Sequence, residues 1–448
     1  MTASTSSNET VNAATSINHR RVVAIALPLT LAYLTTPIVG AADTTVIGRL
    51  GDAALLGGIA VGAIFFDILF TTFNFLRAGT TGLTAQALGA GDKTREAAIL
   101  LRALMISVGA GAIMIAGQAL FVWAALALIG PEGKVKEAAE TYIAVRLLSA
   151  PFALANYSLL GWFIGLSRST TALVLQTILN GVNIAATLFF VNVMDMGVAG
   201  AAIGSVIGEA FATLIGLALA AGILKKTPLP NWTRLIDRAA LLRLFAVNRD
   251  IMIRSFTLVF AFAFFTSQGT ALGEVTLAAN AVLMTFFIFG GYFLDGFAAA
   301  AEQLVGQAVG SKSRRTYDRA VKLTAIWSFI LGGGTTLILL AVGPVLIDFM
   351  TTAPEVRETA REFLIWAALT PLVGALAFQM DGIFIGATWT EDMRNMMLAS
   401  LALYLLVWWI AMPILENHGL WFALLVFLSA RGGLLLLRSR VRASRTFS

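Results

Sequence analysis

Gly161-Trp162-Phe163-Ile164-Gly165 returns as Gly382-Ile383-Phe384-Ile385-Gly386, an offset of 221 residues in a chain of 448. Gln86-Ala87-Leu88-Gly89 returns as Gln307-Ala308-Val309-Gly310 at the same offset, and Leu50-Gly51-Asp52 returns as Leu272-Gly273-Glu274 at 222. Chance supplies one such pair easily. Three in one register, at close to half the chain length, indicate two related halves in tandem. In a membrane protein that pattern points to a transporter built from repeats.

Composition places the chain in a membrane. It is 58% hydrophobic and 12% charged, against roughly 25% charged residues in an average soluble domain. A helical span needs about 20 mostly apolar residues, whereas a barrel shows alternating segments of about 10. The apolar runs here are long and do not alternate, which predicts an all-α polytopic protein. The chain has no cysteine, so disulfides, thiolate metal sites and cysteine nucleophiles are excluded. Its two histidines, His19 and His418, lie outside the apolar runs, which removes HExxH zinc chemistry and a Ser-His relay inside the membrane. The net charge of +6 is read as basic loops beside spans, not as a nucleic-acid surface.

Twelve helices are expected, near 22–47, 54–78, 95–127, 137–164, 169–193 and 197–223, then 247–270, 276–308, 317–349, 357–387, 393–414 and 417–438. Residues 1–20 read as a disordered tail without a signal peptide. The expected lobes are 21–223 and 247–438, joined by a basic linker at 224–246 and followed by a basic tail at 439–448. Lys93, Arg95, Arg168, the linker cluster, Lys312, Arg314, Arg315 and the tail arginines fall on alternate loops. The opposite loops hold only a few basic residues, such as Arg49, Lys134, Lys136 and Arg357. Basic residues mark the cytoplasmic side, so both termini are expected there. With six spans per half, the lobes should be related by a pseudo-two-fold axis along the membrane normal.

Ionisable side chains within spans are costly and are functional candidates by default. The first is Asp43, in Val39-Gly40-Ala41-Ala42-Asp43-Thr44-Thr45, where small neighbours admit other helices. A lone carboxylate in an apolar setting suits reversible protonation; the alternative is a wet carboxylate at the outer interface. Asn180 and Asn183 share a helix face and either bond to Asp43 or lock helices together, and Ser205 and Glu209 follow on the sixth span. In the second half the acids are Asp295, Glu302 and Asp381. The register of the repeat sets Asp295 opposite Asn74, Glu302 opposite Thr81 and Asp43 near Phe264 or Phe265, so the halves share a frame but not their acids.

Asp67 and Arg77 are too far apart along one helix to pair, and Arg77 reads as a structural or snorkelling residue. Gly161 with Gly165 and Gly382 with Gly386 read as packing faces. Among the many aromatics and methionines, Phe265, Phe287 and Met284 are candidate cavity liners, with core packing as the plainer reading. Few Arg or Lys lie deep in the spans, Arg146 and Arg254 being ambiguous. The stretch Gln86-Ala87-Leu88-Gly89-Ala90-Gly91-Asp92-Lys93 ends a helix and lacks Gly-Lys-Ser/Thr, so it is not a phosphate loop.

A family resemblance covers residues 21 to 431. Phe73-Asn74-Phe75-Leu76-Arg77-Ala78-Gly79-Thr80-Thr81-Gly82-Leu83-Thr84-Ala85-Gln86 resembles a signature of multidrug and toxic compound extrusion (MATE) transporters, in the DNA-damage-inducible F (DinF) branch. So do Leu294-Asp295-Gly296-Phe297 with Glu302-Gln303-Leu304-Val305-Gly306-Gln307-Ala308, and Asp381-Gly382-Ile383-Phe384-Ile385-Gly386-Ala387-Thr388 with Asp392-Met393-Arg394-Asn395. Ala26-Leu27-Pro28 and Gly197-Val198-Ala199-Gly200-Ala201-Ala202 also match.

The resemblance implies a twelve-helix antiporter that exports small organic compounds against an inward H⁺ or Na⁺ gradient, without a cofactor, from the inner membrane and as a monomer. It maps the coupling acid onto Asp43, the proline of the bending helix onto Pro28, and the surrounding network onto Asn180, Asn183 and Ser205. Many relatives carry an aspartate where this chain has Thr187, and the loss of a second carboxylate favours H⁺ over Na⁺. The other readings are a Na⁺-coupled exporter, a lipid-linked precursor flippase, an intramembrane aspartyl enzyme using Asp43, Asp295 or Asp381, and a passive channel.

Overall fold

The computed structural model describes residues 17–225 and 227–448. Every regular element among them is a helix, as lipid requires of a chain that must satisfy its own backbone. In order they are α1 (His19–Gly48), α2 (Ala53–Phe73), α3 (Phe75–Gly89), α4 (Lys93–Ala116), α5 (Gln118–Ile129), α6 (Gly133–Leu147), α7 (Ala150–Gly165), α8 (Ser169–Asn192) and α9 (Gly197–Leu224). A short α10 (Trp232–Leu235) leads to α11 (Arg238–Ala271), α12 (Glu274–Gly310), α13 (Arg314–Met350), α14 (Pro354–Gly386) and α15 (Thr390–Thr446). Ten segments are long and apolar enough to cross a membrane, and α6 with α7, bent by 54°, make an eleventh.

The twelfth comes from α15. Its 57 residues would form a rod of about 85 Å if straight, nearly three times a bilayer core. At Glu416 the backbone leaves the helical region (φ 49°, ψ −124°) and the chain turns back. A methyl at Gly419 would lie 2.5 Å from the Ala411 carbonyl oxygen, an approach possible only where two helices meet. The turn is tied to α12: Asn417 and Asn280 exchange amide bonds of 3.0 and 2.8 Å, and the Trp421 indole donates to Asn280 at 2.9 Å. The expected break between 414 and 417 therefore stands.

The backbone repeats with the sequence. Left-handed turn residues occur in pairs 221 apart: Gly91 with Lys312, Ser167 with Thr388, and Asp195 with Glu416. Gly51 and Gly273 form a fourth pair at 222. Asp92 caps α4 by accepting the Arg95 N–H at 2.9 Å, and Ser313, its counterpart, caps α13 through the Thr316 N–H at 3.3 Å.

The glycine crossings repeat too. Gly161 of α7 lies against the Arg77 carbonyl of α3, and Gly382 of α14 against the Ala298 carbonyl of α12. One turn on, Gly165 meets the Thr81 carbonyl and Gly386 the Glu302 carbonyl. In all four places helix backbones touch, leaving no room for a side chain.

Two compact units result, Leu31–Asn248 and residues 17–30 with Arg249–Ser448. The sequence placed all of the first helix in the first lobe. In the structure α1 is shared, because Thr30 packs into the gap left by Gly296 on α12. Three other boundaries differ. The helix starts at His19, inside the stretch expected to be a tail, whose residues 1–16 lie outside the described ones. The linker shortens because α11 begins at Arg238, and the C-terminal tail is helical to Thr446. Charge alone had placed those ends; Arg438 and Arg442 instead hold the last helix against Asp392 near its partner's start.

Candidate transport site

Asp43 is buried at 4% exposure in the Leu31–Asn248 unit. The Thr187 hydroxyl of α8 donates to its carboxylate at 3.2 Å. Gly204 of α9 lies against the Thr187 side chain and so brings α9 up to α8. Gly208, one turn on, packs on Asn183, and the Asn183 amide donates to Ser205 at 3.0 Å. Asn180 donates to Thr35 of α1 at 2.7 Å and accepts from Gln176 at 3.2 Å. The sequence left Asn180 and Asn183 either bonding Asp43 or locking helices together, and the structure shows the second. They line the same face of α8 but bind its neighbours, and the direct partner is Thr187, which stands one helical turn closer to Asp43.

Further polar residues extend the cluster. The Asn156 amide of α7 donates to the Glu209 carboxylate of α9 at 2.5 Å and accepts from Thr213 at 3.0 Å. Arg146, in the last turn of α6, donates to the Tyr142 phenol and lies 4.8 Å over the Phe66 ring. Arg77 donates to Asn74 at 3.1 Å and to the Tyr33 hydroxyl at 3.2 Å, ties consistent with a positioning role. Asp67 is exposed on α2.

The same places in the second half hold rings. At an offset of 221, Asp43, Asn183 and Thr187 correspond to Phe264, Tyr404 and Trp408. Phe264 stands edge to face with Trp408 at 4.8 Å and with Tyr404 at 5.8 Å. Thus the polar contact of one half is an aromatic contact in the other.

The second half carries its charge elsewhere. Asp381 of α14 is buried between Arg254 of α11 and Arg431 of α15, paired with both. Arg431 is 1% exposed and also lies 5.5 Å over the Phe378 ring. Asp295 is exposed on α12 within electrostatic reach of Arg431, while Glu302 is buried. The expectation of few cations deep in the spans needs correction, since Arg254 and Arg431 both lie within them. Both guanidinium groups bind one carboxylate oxygen, Oδ2, which holds Asp381 in an ion cluster and argues against its sharing a proton in an aspartyl pair.

Phe265 and Phe287, expected near a cavity, are packed in the core: Phe265 against Trp421 at 4.9 Å and Phe287 against Phe262 at 5.1 Å. Met284 packs on the same cluster. Arg394 bonds Asp250 at 2.7 Å. Pro28 lies within the unbroken α1 and borders an open hollow of about 450 Å³ with His19 and Trp327.

Sequence reading missed Arg431, Asn156 and Tyr142. Arg431 was visible as a charge in mid-run. The other two carried no signal, because a lone Asn or Tyr in a span reads as ordinary packing.

The MatE family model matches residues 28–189 and 251–411, one match per half. DNA damage-inducible protein F of Escherichia coli strain K12 is 38% identical over 409 residues, covering 91% of this chain and 89% of that one. Protein DETOXIFICATION 44, chloroplastic, of Arabidopsis thaliana is 24% identical over 92% of this chain and 80% of its own. Among solved structures, the outward-facing conformation of a multidrug resistance MATE family transporter superposes with a TM-score of 0.87 at 17% identity, covering 97% of both chains. With the repeated frame, the apolar helical spans and these matches together, the chain belongs to the multidrug and toxic compound extrusion (MatE) family of membrane transporters, in the branch of DNA damage-inducible protein F.

Proposed function

We propose that the protein is a secondary antiporter that exports drug-like, amphipathic or cationic organic compounds in exchange for H⁺, coupled through Asp43. The observation that carries this is the Asp43 carboxylate itself, buried and held, among the described residues, by the Thr187 hydroxyl. Protonation would cancel its charge and weaken that bond. The outer part of α1 would then be released from α8, and α1 would bend at Pro28, where the helix lacks a backbone donor. Substrate binding would favour the deprotonated form by the same linkage.

The driving force is adequate. One proton moving down a unit of pH gradient releases about 1.4 kcal/mol, and one charge gains about 2.3 kcal/mol per 100 mV. Together these support roughly a few hundred-fold accumulation of a neutral solute. The basic residues near both ends support cytoplasmic termini in an inner membrane, and the presence of both halves in one chain supports a monomer as the working unit.

The test is export by proteoliposomes under an imposed pH gradient, comparing wild type with Asp43→Asn. Loss of gradient-driven export in the variant is expected; full retention sinks the coupling assignment. Because the chain has no cysteine, a single Ser448→Cys label reports orientation directly. Labelling from the outer face alone would reverse it.

A further inference from the structure

Arg146 ends α6 just before the 54° bend into α7. Its guanidinium is held by the Tyr142 phenol, lies 4.8 Å over Phe66 and 5.6 Å from the Tyr142 ring centre. Both rings are 1% exposed, so the platform is fixed. Asp43 of α1, Asp67 of α2 and Glu209 of α9 are within its electrostatic reach, as are Tyr142 on its own helix and Tyr157 of α7, itself in the field of Arg77. Yet among the described residues no carboxylate oxygen forms an ion pair with it, and its buried Nε has no hydrogen-bond partner. A cation is stacked on rings beside three acids and bound to none.

We propose that Arg146 is the resident cation of this cluster and thereby selects the coupling ion, excluding Na⁺ from Asp43 while admitting a proton. This rests on the proton-coupled reading of Asp43. A metal ion at Asp43 would keep its full charge in the field of the guanidinium. A like charge within Coulombic reach, at an effective dielectric near 20, weakens its binding by about tenfold or more. A proton becomes a covalent O–H on the carboxyl and leaves no free charge to repel. With Asp43 protonated, Arg146 still lies within reach of two further acids, Asp67 and Glu209. Phe66 and Tyr142 keep the guanidinium from collapsing onto any one carboxylate, which would bury the site as an inert ion pair.

The experiment compares full-length wild type, Arg146→Gln, Arg146→Lys and Arg146→Gln with Asp43→Asn. The probe is export of ethidium by proteoliposomes under a pH gradient, with and without an inward Na⁺ gradient. Wild type and Arg146→Lys are expected to ignore Na⁺. Arg146→Gln is expected to gain Na⁺ stimulation of about tenfold or more, lost again with Asp43→Asn. The same Na⁺ response in wild type and Arg146→Gln overturns the proposal, as does a gain in Arg146→Lys, which would point to packing instead of charge.

Should the Gln variant not reach the membrane, the wild type and Asp43→Asn decide between them. Thermal stabilisation by Na⁺ that disappears in Asp43→Asn would overturn the proposal, and no Na⁺-dependent stabilisation is the expected result. If pH-driven export survives Asp43→Asn, the coupling reading fails. If it does not, but Arg146→Gln stays blind to Na⁺, only the role of Arg146 fails.

Discussion

Thr187 on α8 donates its hydroxyl to the carboxylate of Asp43 on α1 at 3.2 Å, joining two helices through one exchangeable bond. Trp408 and Phe264 meet at the corresponding places of the second half, ring edge to ring face. A proton can break the first contact and has no effect on the second. On the proposed coupling, one half carries a switch where the other carries a fixed joint.

Thr187→Val keeps the shape of the side chain and removes the bond. A single hydrogen bond is worth about 1 kcal/mol, so pH-driven export should fall several-fold while the protein still folds. Initial rates in proteoliposomes check this. Thr187→Asp places a second carboxylate beside Asp43 and should introduce Na⁺ stimulation; an unchanged ion preference would remove the explanation offered for H⁺.

Gly382→Ala should be severe. The added methyl meets the Ala298 carbonyl within the backbone crossing, where neither helix has a side chain to rotate away. A loss of about 3 kcal/mol or more is expected, read as a lowered melting temperature in detergent. Gly161→Ala should behave alike against the Arg77 carbonyl. Gly181→Ala, with nothing within 4 Å of the new methyl, should be neutral or slightly stabilising.

Asp381→Asn leaves Arg254 and Arg431 buried without their anion. Removing one partner of a buried pair costs about 3–5 kcal/mol. Replacing all three together, Arg254→Met with Asp381→Leu and Arg431→Met, should recover most of that stability. Thermal unfolding together with transport of the single and triple variants distinguishes a structural ion cluster from one needed for substrate, because transport would recover with stability only in the first case.

Lys312 holds a left-handed turn (φ 51°) whose counterpart is Gly91 (φ 69°). An L side chain there is strained by about 1 kcal/mol, so Lys312→Gly should raise stability modestly, by up to that amount. Gly91→Lys should lower it. The pair makes an internally controlled measurement, since both turns precede a capped helix.

The frame was legible in the sequence for a physical reason. A backbone crossing admits only glycine, so Gly161, Gly165, Gly382 and Gly386 stayed readable in both halves while side chains around them diverged. Helix existence followed from apolar length, and the break near Glu416 from the polar Glu416-Asn417-His418-Gly419. Partnership was not legible. Asp381 finds Arg431 and Arg254 at separations of 50 and 127 residues, which no local pattern records. Phe265 and Phe287 show the converse: an aromatic residue announces bulk, and only packing decides whether it faces a core or an opening. Asp43 lay between these cases, conspicuous as a charge, with Thr187 reached only through the family resemblance.

The division of α1 between two compact units bears on how the protein is made. The turns around Pro28 pack with residues beyond Arg249, which leave the ribosome more than two hundred residues later. At about 5–20 residues per second, the leading end of the first helix waits on the order of ten to forty seconds for its permanent neighbours. During that interval Gly296, whose surface Thr30 fills, has not yet been synthesised. The docking of the leading end of α1 thus has to follow the synthesis of α12.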